Sequence, residues 1–120
     1  MSISNGRKTM LEANIQANIV KFLIPYRKQG LLEFFSVPNE AASNPIRQGQ
    51  LIATGLRPGV ADLVLLFPKS KTVFIEVKNE KGVQRPEQKK FEETCKKLGF
   101  PYYLVRSVNE IRIIIENFIN

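Results

Sequence analysis

The 120-residue chain has no histidine, a single cysteine and a single aspartate. Without histidine, no mechanism can use an imidazole base, an imidazole nucleophile or a histidine metal ligand. Ser-His-Asp hydrolysis, His-containing zinc sites and His-based nuclease folds are excluded together. Cys95 alone permits no internal disulfide, which fits a reducing compartment. No apolar run approaches the roughly 20 residues of a membrane span. The basic pair Arg7-Lys8 is not followed by an apolar core of signal-peptide type. The expected location is therefore cytoplasmic. The sole aspartate, Asp62, stands at the head of an apolar run, where a bland structural role is hard to find.

What is present is mostly ordinary. The length suits one domain, residues 1–120, with no linker, repeat or low-complexity tract. The charge is less ordinary: 18 Lys and Arg against 11 Asp and Glu give +7. That balance favours a polyanionic partner, with nucleic acid the first candidate.

Thr9-Met10-Leu11-Glu12 matches a capping box. Leu11, Ile15, Ile19, Phe22, Leu23 and Tyr26 follow at helical spacing, predicting a helix to about Pro25–Lys28 that Pro25 ends or kinks, with Gln29-Gly30 as a C-cap signal. Glu12 has two readings. It completes the cap, or it acts from the apolar stripe, since it lines up with Ile15, Ile19 and Leu23, and Gln16 shares that face. Phe34 to Val37 reads as a short strand stopped by Pro38-Asn39. Residues 40–49 read as a small, polar loop, and 50–54 as a brief strand or the tail of that loop. Gly55-Leu56-Arg57-Pro58-Gly59 is turn chemistry, either an ordinary connection or a place where Arg57 and backbone amides meet a phosphate.

Two apolar strands are expected at 61–67 and 72–78, joined by a hairpin loop at Pro68-Lys69-Ser70-Lys71. Side chains alternate along a strand, so Val73, Ile75 and Val77 face one way and Phe74, Glu76 and Lys78 the other. A buried carboxylate or ammonium needs a partner, and these two need each other, a metal or a substrate. If the strands are neighbours, Asp62 and Glu76 converge at one end of them. Pro86 to Leu98 follows as a helix with Gly99 as its stop; Gln88, Phe91, Cys95 and Leu98 share its inner face. Cys95 reads as a small buried hydrophobe. Tyr102 to Arg106 is a further strand. Ser107 and Glu110 open a last helix, apolar on more than one side. Helix, strands, hairpin, helix, strand and helix make a mixed α/β domain of three layers.

Glu12 and Gln16, Pro38-Asn39, Gly55 through Leu63 with Asp62, Glu76-Val77-Lys78, Gln88 and Val105-Arg106-Ser107 together resemble the PD-(D/E)XK nuclease superfamily. More narrowly they resemble a stand-alone VRR-NUC domain, over nearly the whole chain. Glu-x-Lys by itself is a weak signal, but its order with Asp62, the glycine-proline turn and Gln88 is more specific. Ala61 stands where the superfamily pattern has proline, which supplies backbone shape and no ligand. Arg85 precedes Pro86-Glu87-Gln88 where the family often has a small hydroxyl residue.

The resemblance implies a restriction-endonuclease-like core, a central mixed sheet flanked by helices, and hydrolysis of phosphodiesters with Mg2+ or Mn2+. Asp62, Glu76, the Val77 carbonyl and Glu12 would hold the metal, Lys78 would act on the nucleophile or the developing charge, and Gln88 would hold Lys78, a water or a phosphate. Arg57, Asn39, Gln16 and Arg85 are the candidates for DNA contact. The expected substrate is branched DNA such as a four-way (Holliday) junction, cut by a homodimer, in a bacterial or phage-infected cell. A nuclease of flaps or duplex ends and a non-catalytic basic DNA-binding module are the alternatives. An RNase-H-like resolvase would want several aspartates, and the chain has one.

Overall fold

In a computed structural model, residues 10–38 and 44–120 are described. Helix α1 (Met10–Lys28) leads to strand β1 (Glu33–Ser36), a short helix α2 (Pro45–Ala53), and the hairpin β2 (Leu63–Phe67) and β3 (Lys71–Val77). Helix α3 (Pro86–Leu98), strand β4 (Tyr102–Val105) and helix α4 (Val108–Phe118) complete the order. The strands form one mixed sheet, β1-β2-β3-β4. The first three are mutually antiparallel, and β4 lies parallel to β3 after the α3 crossover. This is the expected α/β architecture.

Alternation along the strands divides the core in two. Leu63, Leu65 and Phe67 share one face with Val73, Ile75 and Val77, and pack with Ile19 and Leu23 of α1 and Ile111, Ile114 and Ile115 of α4. The opposite face holds a smaller cluster of Ala61, Cys95 and Tyr102, with Phe74 and Phe91 against it. β2 and β3 are the inner strands and are covered on both sides, which explains their near-continuous apolar runs.

α1 runs through Pro25 to Lys28, the far end of the expected range, and closes at Gly30 (φ 75°), where the Gln29-Gly30 signal stands. The N–H that Pro25 lacks removes one helical bond, a loss of about 3 kcal/mol in an open helix. Here Ile19 and Leu23, both fully buried, anchor the helix to the sheet. Other expectations change. The stretch read as loop and brief strand contains helix α2. Asn44 caps it by accepting from the Arg47 N–H at 2.7 Å, and Pro45 opens it. The helix buries none of its residues. Leu98 is 66% exposed, the buried cluster on that face ending at Cys95. The last helix turns Ile111, Ile114 and Ile115 inward, leaving Ile113 as its large exposed apolar side chain. Thr9, the expected cap of α1, lies outside the described residues.

Candidate active site

The register Leu63↔Ile75 and Val64↔Phe74, carried one step further, sets Asp62 opposite Glu76. Asp62 Oδ2 accepts the Val77 N–H at 2.7 Å, which fixes its carboxylate against the end of β3. Glu76 is 1% exposed and Lys78 5% exposed, so both charges are removed from water. Lys78 Nζ stands 3.6 Å from Glu76 Oε2. That oxygen is buried and has no hydrogen-bond donor among the described residues. An unshared carboxylate oxygen at such depth is costly unless a cation or a bound donor completes it.

Glu12 comes to the same place from α1. It is buried, and a Cβ built on Gly82 would lie 3.0 Å from Glu12 Oε2 and 3.2 Å from Lys78 Cδ. A side chain at that position would crowd both, so glycine eases their approach across that loop. The loop is tied down by Arg106, whose Nη1 donates to the carbonyls of Asn79 at 2.6 Å and Gly82 at 2.9 Å, with Glu80 at 3.3 Å. Glu12 thus comes close to Lys78 beside Gly82, while Asp62 and Glu76 face each other where β2 and β3 abut.

Glu76 Oε1 is by contrast well served. It accepts from the Tyr102 hydroxyl and, at 3.3 Å, from Gln84 Nε2. Gln84 Nε2 also donates to Glu92 Oε1 at 3.0 Å. Burial above all, then the hydrogen bond to the Glu76 carboxylate, pushes the Tyr102 phenol far above its ordinary value and keeps its proton in place. Burial works against ionisation of Glu92, but hydrogen bonds from Lys96 and Gln84 outweigh it and hold that carboxyl below the usual range.

The other sequence candidates are placed less centrally. Gln88 is buried, but its Oε1 accepts the Arg85 N–H at 2.8 Å, so that oxygen caps α3. The capping lost by having Arg85 in place of a hydroxyl residue is thereby recovered from the third residue of the helix. Arg85 Nε pairs with Glu87 Oε2 at 3.0 Å. Arg57 is exposed, its guanidinium carbon 5.3 Å from the Phe91 ring centre. The turn bearing it sits on the first turn of α3, because a Cβ on Gly59 (φ 89°) would lie 2.4 Å from the Glu87 carbonyl oxygen. Gln16, one turn after Glu12, has a buried Oε1 with no hydrogen-bond partner among the described residues. Asn39 lies outside the described residues.

Among the described residues, no three of His, Cys, Asp and Glu stand close enough together to hold a metal unaided. Any donor set here combines carboxylates with backbone carbonyl and water, the oxygen ligands that Mg2+ and Mn2+ take. Glu76 Oε2, ion-paired with Lys78 but without a hydrogen-bond donor among the described residues, fits that chemistry.

Sequence reasoning missed Gln84 and Tyr102 and gave Arg106 no role. Arg106 fell within the matched motif, and Gln84 stands four residues before Gln88; only the parallel pairing of β3 with β4 brings Tyr102 to Glu76.

A mixed sheet covered by helices on both faces, with Asp62 and Glu76-x-Lys78 at the ends of adjacent strands, defines a PD-(D/E)XK-like nuclease fold. The VRR-NUC domain model matches residues 12–109. The chain belongs to the VRR-NUC family, whose members are nuclease-type DNA-processing modules. A solved structure described as a VRR_NUC domain is 21% identical, covering 90% of this chain and 97% of its own, with a TM-score of 0.62. Another, described as a VRR_NUC domain protein, is 16% identical, covering 93% and 90%, with a TM-score of 0.67. At those identities the likeness speaks for the fold. No curated protein matches the chain.

Proposed function

We propose that the protein is a divalent-metal-dependent endodeoxyribonuclease acting on branched DNA, four-way junctions first, as a homodimer. The observation that carries this reading is the buried Glu76 Oε2, 3.6 Å from the Lys78 ammonium and without a hydrogen-bond donor among the described residues, on the residue that the strand register sets opposite Asp62. Asp62, Glu76, the Val77 carbonyl and Glu12 would hold Mg2+ or Mn2+, directly or through water. Bound there, the cation would polarise the phosphate and acidify a nearby water.

The chain's own groups do the rest. Lys78, held in place by burial and by Glu76, orients the attacking water and meets the charge that develops on the phosphate oxygens. The water oxygen attacks phosphorus and a backbone P–O bond breaks. Asp62 is kept from rotating by the Val77 N–H. Gln88 contributes by fixing the start of α3, and Arg57, Gln16, Arg85 and Asn39 are the DNA contacts in this reading.

The net charge of +7 supports a polyanionic substrate. A two-fold pair would set two sites against two strands of a junction, giving paired cuts. Apolar surface for such a pair is available on α2, where Ile46 is 75% and Ile52 49% exposed. The last helix, with its isoleucines turned inward, has less to offer.

The test is cleavage of labelled four-way junction, flap and linear duplex with Mg2+, Mn2+ or EDTA, by the wild type and Lys78→Ala. Symmetric metal-dependent cuts on the junction, slowed about 10²–10³-fold in the variant, are expected. Cutting confined to flaps removes the symmetric dimer and keeps the nuclease. Tight binding with no cutting under any metal leaves a DNA-binding module.

A further inference from the structure

The two oxygens of Glu76 are treated unequally. Oε1 takes two donors, the Tyr102 hydroxyl and Gln84 Nε2, while Oε2 takes no hydrogen bond among the described residues and has only the Lys78 ammonium at 3.6 Å. Stability alone favours spreading donors over both oxygens, because a buried acceptor without a hydrogen bond is costly. The donors themselves are held. Gln84 Nε2 bonds to Glu92 Oε1 at 3.0 Å, and Glu92 Oε2 is 3.0 Å from Lys96 Nζ on the next turn of α3. The orientation of the Gln84 amide follows from its partners: two carboxylates accept and do not donate, so nitrogen must face both. Tyr102 is fixed by its place in β4 opposite Phe74, with its ring 6.0 Å from that of Phe91.

We infer that Tyr102 and Gln84 are positioning residues that bind Glu76 Oε1 and so present Oε2 as the oxygen available to a divalent cation. The inference rests on the proposed metal-dependent reading of the site and adds to it which oxygen serves and what chooses it. The chain Lys96–Glu92–Gln84–Glu76 carries that choice outward to the solvent face of α3, so the orientation of a buried ligand is set partly by an exposed ion pair. Groups that orient a metal ligand typically change affinity about 10–100-fold when removed.

The test is Mn2+ affinity by calorimetry on the full chain, for the wild type, Tyr102→Phe and Gln84→Met, with melting temperature measured in EDTA and cleavage followed across Mn2+ concentrations. Tyr102→Phe keeps the ring and removes one donor; Gln84→Met keeps the length and removes the other. Each is expected to weaken Mn2+ binding about tenfold. Cleavage should be recovered at higher Mn2+, and melting in EDTA should change little. Unchanged Mn2+ affinity in both variants, whatever happens to melting, overturns the inference while a cleaving wild type keeps the proposed function. A wild type that takes up no Mn2+ overturns the proposed function and the inference with it. If Tyr102→Phe fails to fold, Gln84→Met decides alone, because Gln84 lies outside the buried cluster.

Discussion

The two faces of the sheet are built on different terms. On the α1 and α4 side, fourteen buried apolar residues form one continuous cluster. On the α3 side three do, and buried Glu76 and Gln88 lie there among them. The thick face holds the fold by bulk burial, where each large side chain is worth about 1.5–3 kcal/mol. The thin face is held by particular fits: the Gly59 turn against the backbone of α3, Gln88 on the Arg85 N–H, and donors counted out to one oxygen of Glu76. Polar chemistry has been accommodated where apolar packing was given up.

Substitutions on the two sides should therefore fail differently. The largest loss is expected from Ile111→Ala, at a fully buried position of α4. It should cost about 2–5 kcal/mol in urea unfolding, with cleavage per folded molecule unchanged. An equal loss of activity would mean that the thick face also tunes the site.

Gly59→Ala comes next. Its positive φ costs about 1–2 kcal/mol for a residue with a Cβ, and the Cβ would also meet the Glu87 carbonyl. Activity should fall further than stability, because the turn to Asp62 and the start of α3 must move apart. Comparing unfolding free energy with single-turnover rate checks this.

The smallest effect is a pH effect. The folded Glu92 carboxyl is held below its ordinary 4.5. A depressed carboxyl stabilises the fold fully above its unfolded value and loses that contribution as pH falls through the folded value. Glu92→Gln should therefore flatten the fall in urea midpoint below about pH 4.5 by a small amount, since the group is partly solvated. A curve parallel to the wild type would remove Glu92 from the account of the thin face.

How much of this was legible follows the same division. β2 and β3 were readable because their alternation and apolar runs are local, and α3 because Pro86 and Gly99 mark its ends. Asp62, Glu76 and Lys78 stood out because charge in an apolar strand is rare. The site's supporting parts were not readable. Tyr102 looks like any strand aromatic until β4 is laid parallel to β3, and Gln84 looks like a loop residue until Glu76 and Glu92 bracket it. α2 was missed although Asn44-Pro45 is a start signal, because the small, polar residues around it and Gly49 within it read as loop.

Arg106 bears on the order in which the protein is made. Its guanidinium pins the loop after Lys78, and β4, which precedes it, brings Tyr102 to Glu76. A chain still on the ribosome, with β4 not yet emerged, already carries the β2–β3 hairpin that sets Asp62 against the end of β3, but lacks the hydroxyl that binds Glu76 Oε1 and the guanidinium that holds the loop after Lys78. The supports of the candidate site are thus divided between early and late residues of the chain.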